Sequence, residues 1–112
     1  MSSEERGKEL EVELQRILGI LKTRVQPQKV ILFGSLVSGR LRPDSDIDLL
    51  IVQDSKEPIF DRVKKIEAVL DRRYAADLIV LTPTEVQSLL DSDNRYVKKI
   101  FSGGRVLYER TA

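Results

Sequence analysis

Two short segments carry the residue types that could do chemistry. Phe33-Gly34-Ser35 closes the apolar run Val30-Ile31-Leu32-Phe33, and after ten further residues comes Asp46-Ile47-Asp48. Glycine allows a tight turn and lets a ligand approach the backbone closely. A serine after it can open a short helix, whose free N–H groups favour an anion. Asp46 and Asp48 stand two apart at the start of a second apolar run, Leu49-Leu50-Ile51-Val52. At the period of a strand, both carboxylates share one face. Like charges so close repel unless a cation lies between them. A hard ion with oxygen ligands, Mg²⁺ or Mn²⁺, suits that need. Asp77 stands ahead of a third apolar run, Leu78-Ile79-Val80-Leu81. Such a position is costly for a charge without a partner or a ligand. If its strand lies beside the second, Asp77 joins the pair.

Composition narrows the chemistry. The chain has 112 residues, enough for one domain over residues 1–112 with one core. Hydrophobic residues make up 41% and charged residues 33%, with a formal net charge of +1. That balance gives no indication of nucleic acid as a partner. Cysteine and histidine are both absent, which excludes disulfides, thiolate metal sites and the usual general base. A base must then be a carboxylate, a lysine or a tyrosine. No apolar run reaches the roughly 20 residues of a membrane span. The N-terminus lacks an apolar signal region, so a cytoplasmic location is expected.

The elements that must hold these residues are legible in outline. Ser2 and Glu5 have capping-box spacing, and Leu10, Leu14, Ile17, Leu21 and Val25 make the buried stripe of a helix running to about Val25. Gly7 and Gly19 should weaken it locally. Lys29 to Phe33 reads as strand one and Ser35 to Ser38 as a short helix. A Gly- and Pro-containing loop leads to strand two, Asp46 to Val52, hydrophobic enough for burial on both faces. Ile59, Phe60, Val63, Ile66, Leu70 and Tyr74 mark another helix, and Ala76 to Leu81 strand three. Thr82-Pro83-Thr84-Glu85 starts a helix with cap, proline and acid in order. Tyr96, Val97, Ile100 and Phe101 suggest one more, with Tyr96 and Phe101 read as core. Gly103-Gly104 then turns into a last strand, Arg105 to Glu109. The expected class is α/β (α+β), a small mixed sheet flanked by helices.

Two other motifs fail on spacing. Asp44-Ser45-Asp46-Ile47-Asp48 imitates the opening of a calcium loop, but Leu49 and Ser55 stand where that loop needs Gly and Glu. Gly7-Lys8-Glu9 lacks the upstream glycine and the Ser/Thr of a Walker motif.

Taken together, Phe33-Gly34-Ser35, Asp46-Ile47-Asp48 and Asp77 resemble the nucleotidyltransferase superfamily that includes DNA polymerase β. The size and the phrase Ser45-Asp46-Ile47-Asp48-Leu49 look most like its minimal nucleotidyltransferases. That resemblance implies a polymerase β-like sheet flanked by helices and transfer of a nucleoside monophosphate, with ATP as the substrate. It implies that Asp46, Asp48 and Asp77 are the catalytic and metal-binding set for Mg²⁺ or Mn²⁺. Gly34, Ser35, Arg40, Arg42 and Ser45 are implied as nucleotide contacts. Many minimal members carry arginines in the short helix after Gly-Ser; here Leu36-Val37-Ser38-Gly39 takes their place and Arg40 and Arg42 stand just beyond. Larger antibiotic-modifying relatives carry an added helical domain for the acceptor, for which this chain has no residues left. The resemblance therefore implies a hydroxyl of a partner protein, a HEPN-domain toxin paired with this chain as antitoxin. A binding antitoxin that covers its partner without catalysis is the alternative, and self-association is left open.

Overall fold

The computed structural model describes residues 2–71 and 76–110. The first helix, α1 (Ser3–Ile20), starts where the Ser2 hydroxyl accepts the Glu5 N–H at 3.1 Å. Glu5 answers through its carboxylate, which accepts the Ser2 O–H, so the reciprocal bond of a full capping box is replaced by a side-chain contact. The helical stripe continues past Ile20, but Leu21–Val25 forms a π-helical turn closed by the Gln26 N–H on the Leu21 carbonyl. The expected helix to Val25 is thus two kinds of helix in series.

Four strands make one sheet: β1 (Lys29–Phe33), β2 (Ile47–Val52), β3 (Ala76–Leu81) and β4 (Arg105–Glu109). Their order is β3-β2-β1-β4. β1 pairs antiparallel with β2 and with β4, whereas β2 and β3 run parallel. The sheet is mixed, and the fold is α+β as expected. Parallel strands need a long connection. Here it contains α3 (Ile59–Leu70). Tyr74, expected on the apolar stripe of that helix, lies outside the described residues.

Strand alternation divides the core in two. Val30, Leu32, Leu49, Ile51 and Val80 face α1 and α3, meeting Leu10, Leu14, Ile17, Ile66 and Leu70. Ile31, Leu50, Val52 and Leu81 face the other way, toward Val86 of α4 (Pro83–Asp91) and Ile100 of α5 (Arg95–Gly103). β2 is central and has burial on both faces, which explains its nearly unbroken apolar run.

Buried ion pairs pin the helices. Arg62 on α3 donates two bonds to Glu85, at 2.6 and 3.1 Å, and two more to the Glu57 and Val80 carbonyls. Glu85 also completes the capping box with Thr82 at the start of α4. Arg16 of α1 donates to the Leu70 and Asp71 carbonyls, closing the C-terminus of α3 while buried Glu13 holds its guanidinium. Gly7, expected to weaken α1 locally, also has a close neighbour: a Cβ there would come within 2.7 Å of Leu41, so glycine lets the loop after the short helix α2 (Ser35–Ser38) lie on α1.

Candidate active site

β1 ends at Phe33, and the chain turns at Gly34 with φ 80° and ψ −151°, a region open to practically no other residue. A Cβ at Gly34 would also overlap Oδ2 of Asp48. Backbone conformation and the neighbouring carboxylate therefore each require glycine here. Ser35 begins α2, and the Gly34 carbonyl accepts the N–H groups of Val37 and Ser38.

The strand register brings the acids together. Asp48 lies opposite Phe33 on β1 and opposite Asp77 on β3. In parallel neighbours matched in this way, side chains emerge on the same face about 5 Å apart. Asp48 is half-buried and Asp77 is exposed at the sheet's edge. Burial pushes the Asp48 carboxyl up to about 6; the charge of Asp77, a hydrogen bond shared with Asp77 and the charge of Asp46 act in the same direction. Two carboxylates in contact cannot both ionise freely without a counter-charge.

Asp46 precedes β2 by one residue rather than opening it. Its Oδ1 is 3.9 Å from Nη2 of Arg6, whose Nε donates to the Ser45 carbonyl at 2.9 Å. Arg6 reaches the site from α1, far away in sequence. No spacing rule points to it, because one arginine on a charged helix face has no signature. Among the described residues no three acidic side chains converge closely enough to make a finished ion cage. Asp48 and Asp77 are in contact, and Asp46 is drawn toward Arg6. The donor set still suits a hard divalent ion: oxygen ligands only, and a carboxyl of raised proton affinity beside a glycine turn.

The residues expected to contact a nucleotide divide into two groups. Gly34 and Ser35 adjoin the acids. Ser45 is buried, and its Oγ accepts the Arg42 N–H at 2.7 Å, so in this conformation it braces the loop. Arg40 and Arg42 are exposed on that loop, without an ion-pair partner among the described residues. Tyr96, expected in the core, is 57% exposed. It meets Phe33 edge-on with ring centroids 6.1 Å apart, because Val97 and Ile100 take the inward positions of α5. Phe101 does pack against the second core cluster.

A mixed sheet with paired carboxylates on neighbouring strands, set over a Gly-Ser turn, defines a phosphoryl-handling class of domain. The sequence model of the nucleotidyltransferase domain matches residues 14–107, and the chain belongs to that family. No curated protein matches it in sequence. Among solved structures it is similar to a candidate nucleotidyltransferase from Sulfolobus solfataricus, at 21% identity and TM-score 0.67, covering 98% of this chain and 89% of that one. It is also similar to a toxin–antitoxin structure with AMP-PNP, at 20% identity and TM-score 0.51, covering 87% and 73%. A mutant MntA-HpeT toxin–antitoxin structure aligns at 17% identity and TM-score 0.52 over the same shares. At these identities the likeness is one of fold. Among the described residues no helix is long and apolar enough to cross a membrane.

Proposed function

We propose that this chain transfers a nucleoside monophosphate, AMP from ATP, to a hydroxyl of a partner protein, as a minimal nucleotidyltransferase acting as antitoxin to a HEPN-type toxin. The observation that carries the proposal is the meeting of Asp48 and Asp77 in register over Gly34. Asp46, Asp48 and Asp77 would hold Mg²⁺ or Mn²⁺. When bound, such an ion offsets the charge that builds on the phosphoryl oxygens.

The chain's own residues do the rest. The backbone at Gly34 and Ser35 receives phosphate oxygens, with the Ser35 hydroxyl beside it. Arg40 and Arg42 stand ready for the outer phosphates. Asp77, exposed at the edge, takes the proton of the incoming hydroxyl. The acceptor oxygen forms a bond to the α-phosphorus, and the bond to pyrophosphate breaks. Arg6 holds Ser45 and Asp46 in place from α1. Positioning and electrostatics supply most of the acceleration in such transfers. The open, exposed edge at Asp77 suits a large acceptor, and the similarity in fold to toxin–antitoxin structures supports a protein partner.

The test is covalent. The chain, ATP, Mg²⁺ and the candidate partner are incubated together, and the partner is weighed by mass spectrometry. An adenylyl increment that vanishes with Asp48→Asn is expected. A second reading, neutralisation by binding alone, draws on the contact of Asp46 with Arg6, which leaves the acidic set ungathered. It predicts a tight complex and an unchanged partner mass.

A further inference from the structure

At the other end of β2, five residues beyond Asp48, a cleft of about 390 Å³ opens between the π-helical turn and α3. That volume lies in the range of small-ligand sites. Four cations reach it, and two are already matched: Arg62 by Glu85 and Lys65 by Glu57. Arg24 and Lys56 have no ion-pair partner among the described residues, and both are exposed at its rim. Asp54 is occupied by the Gln28 side-chain amide, which donates to it at 2.9 Å. Val25, Ile66 and Val69 supply the apolar part of its lining.

The backbone supplies a second, independent observation. Arg24 and Val25 belong to the π-helical turn. Such turns are unfavourable, short and concentrated at functional sites. This one ends at Gln26 in the left-handed region, φ 56° and ψ 57°, uncommon for a residue with a side chain. Gln53 from the end of β2 donates to the Val25 carbonyl at 3.1 Å and ties the turn to the cleft. The widened turn thus places one free guanidinium and one apolar side chain at the same opening.

We infer that this cleft binds a nucleoside monophosphate, with Arg24 and Lys56 on the phosphate and Val25, Ile66 and Val69 against the ring. Guanidinium and ammonium groups are the usual phosphate partners, arginine as a fork and lysine as a point charge. The Asp54 and Glu57 carboxylates each accept one bond already and keep further lone pairs for sugar hydroxyls. The site stands apart from the acidic edge and needs none of its residues.

Amide NMR of the full chain, titrated with AMP, adenosine and inorganic phosphate in metal-free buffer, tests this. AMP should shift the amides of Arg24, Val25 and Gln53 to Glu57 saturably. The double variant Arg24→Gln, Lys56→Gln should weaken that response about tenfold or more, a loss of about 1.4 kcal/mol. Both residues are exposed, so the variant keeps its fold, and Asp48→Asn should leave the response intact. Shifts confined to Gly34, Ser35 and Asp48, or no shift at all, would overturn the inference. So would an undiminished response in the double variant, loss in Asp48→Asn, or phosphate or adenosine alone matching AMP.

Discussion

Asp48 and Glu85 are both acidic side chains packed beside the same sheet, and folding moves their proton affinities in opposite directions. Glu85 faces Arg62 through two hydrogen bonds and takes the Thr82 N–H as well, so its carboxyl falls to about 2. Asp48 faces Asp77 and rises to about 6. In one cluster the carboxylate faces a guanidinium; in the other Asp48 faces a second carboxylate, with Arg6 reaching only Asp46. Under the proposed function, the difference separates a charge kept for the fold from a charge kept for a ligand. A carboxylate that weakens the apo protein is tolerated where something positive is expected to arrive.

The largest expected effect breaks the Asp48 cluster. Asp48→Asn keeps the shape and removes the charge, and transfer should fall by about 10³-fold or more, measured as adenylyl increment per unit time. Stability should move the other way. The raised Asp48 carboxyl stabilises the fold most below its unfolded value near 4, and that contribution is lost as pH rises through about 6. At pH 7 in metal-free buffer the asparagine variant should therefore be more stable, by roughly 1 kcal/mol after discounting for solvent screening of a half-exposed group. Thermal unfolding of both proteins at pH 4 and pH 7 measures it; the gain should appear only at the higher pH.

Breaking the Glu85 cluster should cost stability. Arg62→Ala leaves Glu85 beside the sheet without its guanidinium and frees the Glu57 and Val80 carbonyls. A loss of about 3 kcal/mol is expected in denaturant unfolding. The lowered Glu85 carboxyl contributes stability above its usual value near 4.5, lost as pH falls toward about 2. The variant should lose most of that acid dependence, keeping the share due to the Thr82 N–H, whereas Asp48→Asn should keep all of it. Identical acid profiles for the wild type and Arg62→Ala would remove one half of the comparison.

Gly34→Ala sharpens it from the backbone side. The residue's φ of 80° alone costs an alanine about 1–2 kcal/mol, and the new Cβ meets the Asp48 carboxylate. A destabilisation of about 2 kcal/mol is expected, with transfer reduced because Asp48 must move. Calorimetry and the transfer assay read the two effects separately.

Much of this contrast was legible beforehand, for identifiable reasons. The capping box at Thr82 and Glu85 is a local signal, and the structure reproduces it, as it does strands one and three. Asp77 could be placed beside Asp48 only if β3 lay against β2, and the parallel register supplies that. Arg62 with Glu85 had no signature: the pair joins α3 on one face of the sheet to the start of α4, past the Val80 carbonyl of β3, a meeting that no spacing within one helix reveals. Arg6 was hidden for the same reason. The approach of Leu41 to Gly7 had no signature either, because helix propensity says nothing of a distant neighbour. The π-helical turn was missed because it preserves the apolar stripe through Leu21 and Val25 while changing the hydrogen bonds beneath it. Tyr96 went to the core on its aromatic character, although its position on α5 turns it outward.

Tyr96 also yields the smallest expected effect, and it tests where the Asp48 cluster ends. Its ring touches Phe33, and Phe33 pairs with Asp48. An edge-to-face contact is worth about 0.5–1.5 kcal/mol, and a half-exposed ring lies toward the lower figure. Tyr96→Ala should lower stability by about 0.5–1 kcal/mol and slow transfer less than about tenfold through a looser Phe33. Tyr96→Phe retains the ring and should leave both unchanged. An outcome in which Tyr96→Phe keeps its stability yet loses transfer as fully as Asp48→Asn would show that the phenol itself serves the reaction. The boundary would then shift: the ligand-ready region would extend from the sheet edge onto α5, and Tyr96 would stand with Asp48 and Asp77 rather than with the packing residues around Phe33.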